Sequence, residues 1–259
     1  MKVTSRKISA VLSSIAAVAS GGISAHAQTV NWAGYTWKVN AGQGIGSGIV
    51  RGNTGNVYVD AAGNLHLAIT RSRGTWTGAE LGTTKDLGFG SYYWVFSGPL
   101  TTFEPQIVLG AFTYGPAHGI GTDATNEIDV EFSRWNVATN ANNGDFNIFP
   151  ATGQTKGVNS SNLWNWTSGT VATCRIDWTS TSVTESVWSG VVAENAPTSS
   201  AAVTWTYNGS TSAVPQAPVP FLFNLWAHGS HPTRNVDITV KNFRYIPLPL
   251  PADPLHPHL

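Results

Sequence analysis

Asn126-Glu127-Ile128-Asp129-Val130-Glu131-Phe132 decides the reading of this chain. Acidic and apolar residues alternate through it with a period of two, and Ile and Val favour extended backbone. On a strand, Glu127, Asp129 and Glu131 share one face, while Ile128, Val130 and Phe132 share the other. A single outward acid would be ordinary for a half-buried strand. Three in a row, in a chain only 11% charged, are not. Neighbouring carboxyls repel one another and resist desolvation, which pushes their pKa values apart. One acid then stays protonated while another is ionised, as general acid and nucleophile chemistry at a glycosidic bond requires. The order of the carboxyls alone does not say which Glu attacks.

Outward from this stretch the chain reads as strands. Asn56–Asp60 alternates, Ala61-Ala62-Gly63-Asn64 turns, and Leu65, Leu67 and Ile69 alternate again, so a hairpin is expected. Further strands are predicted at Ser91–Phe96, Ile107–Tyr114, Asn126–Phe132, Asp145–Phe149, Thr173–Trp178, Ser182–Trp188, Ala202–Tyr207, Phe221–Trp226 and Val236–Tyr245. Turn residues bound each of them, and no segment carries a convincing helical pattern. Many short strands without a fixed repeat argue for an all-β antiparallel sandwich rather than a propeller or solenoid.

The ends read differently. Lys2, Arg6 and Lys7 precede an apolar run from Ile8 to about Ser24, and Ala25-His26-Ala27 offers an A-x-A cleavage site. Residues 1–27 are therefore expected to be a Sec-type signal peptide, with the protein secreted. Cleavage would leave 232 of the 259 residues, enough for one domain, here 28–246. It would also leave 11 basic against 14 acidic residues, a formal charge of −3. With no basic excess, nucleic acid and anionic membranes are not expected partners, and a monomer is expected. The segment from Pro247 to Leu259 (PLPLPADPLHPHL) reads as a disordered, polyproline-like tail. The single cysteine, Cys174, excludes an internal disulfide, and its apolar neighbours at alternate positions suggest a buried strand thiol. The 11 Trp, 7 Tyr and 10 Phe exceed what a core alone needs, and aromatic faces that stack on sugar rings would use the surplus.

Glu127-Ile128-Asp129-Val130-Glu131 resembles the E-x-D-x-E signature of glycoside hydrolase family 16. Gly110–Gly119 (GAFTYGPAHG), Gly78-Ala79-Glu80-Leu81, Phe89-Gly90-Ser91-Tyr92, Asn224-Leu225-Trp226 and Gly63–Leu67 are similar, in the same order, to further segments of its bacterial lichenases. The similarity runs from about Trp32 to Tyr245. It implies a curved antiparallel β-jelly-roll sandwich and retaining hydrolysis of a β-1,3-1,4-glucan. By this resemblance Glu127 is the nucleophile, Glu131 the acid and base, and Asp129 the residue that keeps their protonation states apart. Glu80, Phe112, Tyr114, Asn147, Phe149, Asn224 and Trp226 fall where lichenase-like enzymes contact the glucan, with Trp226 expected in the cleft. The unbulged signature, without the extra residue of E-x-D-x-x-E, is the form seen in lichenases and xyloglucan-active plant enzymes.

Three departures bear on substrate. Thr125 and Gly82 stand where the lichenases carry Trp and Arg, and Phe132-Ser133-Arg134-Trp135-Asn136 replaces a small Gly-containing turn. Arg134 and Trp135 are the candidate replacements for the missing contacts. A transglycosylase, a glucanase of other linkage preference, and a non-catalytic lectin-like sandwich are the alternatives. No cofactor is required. Many members of the family hold a structural calcium on the convex side, and Asp237 is the one residue here suited to contribute. His228 and His231 lack further ligands and are expected in a rim loop. One geometric demand remains. Along a strand, Glu127 and Glu131 are ~14 Å apart at Cα, whereas retention needs their carboxyls about 5–5.5 Å apart.

Overall fold

The computed structural model describes residues 28–115, 126–149 and 160–248. The expected signal peptide at 1–27, position 125, the end of the 110–119 match, and the tail beyond residue 248 lie outside the described residues.

Among the described residues the chain forms sixteen strands and three single 3₁₀ turns. One layer of strands has the order β11 (Ser160–Trp164), β10 (Gly144–Phe149), β9 (Glu127–Ser133), β8 (Ile107–Thr113), β15 (Phe221–Ala227) and β6 (Thr75–Thr83), and β2 (Tyr35–Val39) and β1 (Thr29–Trp32) extend it beyond β6. The other has the order β5 (Leu65–Ser72), β16 (Val236–Pro247), β7 (Gly90–Ser97), β12 (Val171–Trp178), β13 (Val183–Ser189) and β14 (Val203–Thr206), with β4 (Val57–Val59) on its β5 edge. The β5–β6 hairpin joins the layers. Every pairing is antiparallel except that of the two-residue β3 (Arg51–Gly52) with β6. The result is the curved, all-β sandwich of a jelly roll.

Period-two alternation builds this arrangement. Ile128, Val130 and Phe132 of β9 are fully buried, as are Phe221, Phe223 and Leu225 of β15, because each strand turns its alternate side chains toward the opposite layer. Phe132 meets Phe96 of β7 edge-to-face at 6.1 Å, and Phe221 packs on Trp94 at 5.4 Å. Such rings bury roughly 150–250 Å² each, so the aromatic layer is the main source of cohesion. Much of the aromatic surplus goes into this core rather than onto a sugar-binding face. Cys174 of β12 is fully buried, as expected, and burial pushes its thiol pKa up.

Candidate active site

The face of the first layer that points away from the core carries the acids. Residues directly opposite in an antiparallel pair point the same way, so the registers read as rows across the strands. In one row Asp145 faces Glu131, Glu131 faces Gly110, Gly110 faces Asn224, and Asn224 faces Glu80. Asn40, just past β2, continues it by donating its backbone N–H to the Glu80 carbonyl at 2.8 Å. The adjacent row runs Asn147, Asp129, Phe112, Leu222, Gly82. Glu127 faces Phe149 one step further on. Four of these five strands thus place a polar side chain in the row through Glu131, and the middle position is a glycine. A Cβ at Gly110 would sit 2.6 Å from Asn224 Oδ1, so the glycine is what lets the Asn224 amide lie across the floor beside Glu131.

The strand that bears the acids is pinned at its start. Asn126 is fully buried with φ 54°, a left-handed conformation that Asn tolerates better than other side chains. Its carbonyl accepts the Thr113 hydroxyl at 2.9 Å, and its Oδ1 accepts the backbone N–H groups of Gln216 and Ala217 at 3.4 Å each. The Thr113 hydroxyl in turn accepts the Ile128 N–H at 3.1 Å. Replacing Asn126 by Val would strain the backbone and orphan two N–H groups, of which that of Ala217 is buried. Thermal unfolding of Asn126→Val should show a loss of about 2–4 kcal/mol, whereas Asn126→Gly should lose less.

Burial and crowding set the protonation states. Burial, then Asp145 and Glu127, holds the Glu131 pKa well above the ordinary Glu range, against one opposing bond from Asn147 Nδ2 to Glu131 Oε2 at 3.4 Å. Burial, then Glu127 and Glu131, does the same to Asp129. Both carboxyls are thereby biased toward the protonated form. Glu127 and Glu131 keep part of their surface accessible, while Asp129 between them is 4% exposed. Glu127 is near enough for its charge to act on Glu131, as two groups working on one linkage must be. At the far end of the row, burial raises the Glu80 pKa, partly offset by hydrogen bonds from Asn40 and Asn224. The Asn40 bond is 2.7 Å.

Several sequence expectations need correction. Trp226 is 3% exposed, so it is no open stacking platform. The Ile45–Gly48 turn covers it so closely that a Cβ at Gly48 would lie 2.4 Å from Trp226 Cε3, and Trp135 and His228 pack edge-on against it at 6.0 and 5.9 Å. Phe112, on the acid face, is nearly as buried and meets Tyr114 edge-on at 6.2 Å. Phe149, Tyr114 and Trp135 stay half-buried and are the more accessible rings. Trp135 has φ 53° and its N–H bonds Ser133 Oγ at 2.9 Å, which fixes where the ring goes. Arg134 lines a small crevice with Leu100, Thr101, Phe103, Ser133 and Asn143 just past the end of β9.

The residues around Asp237 do not fit calcium. Its carboxylate oxygens receive His66 Nδ1 at 2.6 Å and the Tyr58 hydroxyl at 3.1 Å, and calcium takes oxygen ligands rather than imidazole. Among the described residues no cluster of three or more His, Cys, Asp or Glu side chains is placed to hold a metal ion. His66 occupies this position instead, with one ring nitrogen on Asp237 and the other on Asp60. Burial pulls its pKa down, but Asp237 and Asp60 on its two ring nitrogens outweigh this and leave it raised.

Comparison with solved structures matches this fold to that of glucanases. A Bacillus licheniformis β-glucanase superposes with a TM-score of 0.60 at 22% identity, over 81% of this chain and 91% of that one. A β-1,3-1,4-glucanase (lichenase) from a mouse hindgut metagenome gives 0.59 at 22% identity, over 82% and 93%. A glycoside hydrolase family 16 endo-glucanase from Bacteroides ovatus gives 0.57 at 13% identity, over 81% and 94%. The chain has the family 16 fold. A scan with protein-family models finds no match, and neither does a search of curated proteins. In the family 16 fold described here, the acid face also holds residues that sequence reasoning passed over. Asp145 was legible, since Asp145, Asn147 and Phe149 alternate onto one face. Asn40 was not, because nothing local ties it to Glu80, forty positions away.

Proposed function

We propose that the protein is a secreted endo-β-glucanase that hydrolyses β-1,3-1,4-glucan with retention of configuration. The observation that carries this is the crosswise row through Glu131: an acid whose pKa burial and crowding raise, facing Asp145 on one side and Gly110 on the other, with Glu127 further along the same strand face. Glu131 donates its proton to the glycosidic oxygen as the Glu127 carboxylate attacks the anomeric carbon, which forms a glycosyl-enzyme and releases the leaving chain. Glu131, now ionised, takes a proton from water, which attacks the same carbon and frees Glu127. Burial and the two flanking carboxyls favour the protonated form of Asp129, which keeps a second negative charge away from the nucleophile. Asn147 orients the acid, and Glu80, Asn40 and Asn224 offer hydroxyl partners along the row.

The linkage preference rests on the unbulged signature and on the lichenase among the structures of like fold. Gly82, in the lichenase arginine position, would place a Cβ 3.1 Å from Leu222 Cγ, so this part of the wall is apolar rather than cationic. The test is product analysis on lichenan, laminarin and xyloglucan, with the anomer of fresh product read by proton NMR. Oligosaccharides from lichenan, first appearing as the β-anomer, are expected. First appearance of the α-anomer overturns retention, and cleavage of laminarin or xyloglucan alone overturns the linkage.

A further inference from the structure

Neither chemical step above uses Asp145. It stands directly opposite Glu131 in the β9–β10 pairing, on the same face, where cross-strand Cβ atoms are about 4.5–5.5 Å apart. It is 7% exposed, and its Oδ1 has no hydrogen-bond partner among the described residues. Asn147, next along that face of β10, bonds both carboxyls. A buried carboxyl with one oxygen unpartnered, set against a second carboxyl, is a costly way to fill space, since an amide or apolar side chain would pack there without the repulsion. We propose that Asp145 is a positioning residue that keeps the proton on Glu131, opposing by its own negative charge the ionisation of the acid it faces. This rests on the reading of Glu131 as the general acid.

The surroundings leave that repulsion unanswered. Along β9 the other titratable groups on the face are the carboxyls Asp129 and Glu127. On the β11 side Asp145 faces Leu163, which is uncharged. From the opposite layer the group acting on this cluster is Glu185 of β13, another acid. Arg134, three residues past Glu131, lines a crevice with Leu100, Thr101 and Phe103 and makes no ion pair with these acids among the described residues. Burial raises Asp145 to about 6, with Asn147 and the Phe146 N–H pulling the other way. Asp145 is therefore ionised above that pH, where an unassisted Glu131 would be losing its proton.

The test is Asp145→Asn, with Asp145→Ser as a second variant, read by carboxyl ¹³C titration of glutamate-labelled protein. Glu131→Gln assigns the resonance. Loss of one adjacent charge should lower the Glu131 midpoint by about one pH unit, a tenfold fall in proton affinity. The alkaline limb of kcat/KM on mixed-linkage glucan should move down by the same amount. An unmoved midpoint in both folded variants overturns the proposal, as does a lower kcat with the limb in place. If the midpoint falls but the parent never cuts glucan, the coupling stands and the glucanase reading fails instead.

Discussion

Glu127→Ala is expected to lower kcat/KM on mixed-linkage glucan on the order of 10⁴-fold or more, the scale on which a covalent nucleophile matters. Added azide should then restore cleavage while producing an α-glycosyl azide. The small anion fills the space left by the carboxylate and attacks the same carbon, and the single displacement inverts the centre. Glu131→Ala should behave differently. Its loss on natural glucan should be roughly 10²–10⁴-fold, but small on a substrate whose leaving group needs no proton. The glycosyl-enzyme still forms on Glu127, so azide enters in the second displacement and gives the β-glycosyl azide. Two products of opposite configuration from residues four apart on one strand would identify both roles at once. The same configuration from both variants would mean that the roles are wrongly assigned. Parent-like rates in both variants, or a parent that binds glucan without cutting it, would return the protein to the lectin-like reading.

The face of β9 was legible because strand geometry leaves little freedom: alternation fixes side-chain direction once the strand is granted. Other features were hidden for identifiable reasons. The β1–β2 hairpin turns on Ala33 and Gly34, at φ 51° and 82°, a turn that usually announces itself with Asn-Gly. Alanine in the first place conceals it. β6 carries Gly78 and Gly82, which read as breakers, but a Cβ at Gly78 would come within 2.7 Å of the Leu225 carbonyl, so close approach of β15 requires the glycine. Asp237 looked like a cation ligand because its partner, His66, is 171 positions away. Trp226 looked like a cleft ring because its strand face is indeed the acid face, and only a loop contributed by Ile45–Gly48 covers it. Strand direction was local information. What lies on top of a strand was not.

Glu185 should make stability fall as pH rises. On β13 it lies on the core face with Val183 and Val187, fully buried, and neither carboxyl oxygen has a hydrogen-bond partner among the described residues. Burial, then Asp145 and Glu131, pushes its pKa well above the Glu range. In the unfolded chain the same group ionises near pH 4.3. Below that pH both states hold the proton and the group contributes no pH dependence. Above it the unfolded chain releases the proton while the native state keeps it, so the unfolded state binds fewer protons and stability drops with pH. The slope is about 1.4 kcal/mol per pH unit for each such carboxyl, and Asp129 and Glu131 have the same sign. Glu185→Gln keeps the shape but removes one titration, so the variant should gain on the parent steadily from pH 5 to pH 8. Each kcal/mol gained should raise Tm by about 2–4 °C in a domain of this size. His66 also loses its contribution as pH rises through its raised pKa, but it does so equally in parent and variant and cancels from their difference. Parallel Tm curves across that range would show that Glu185 is ionised in the fold, with its charge neutralised by a group not seen here.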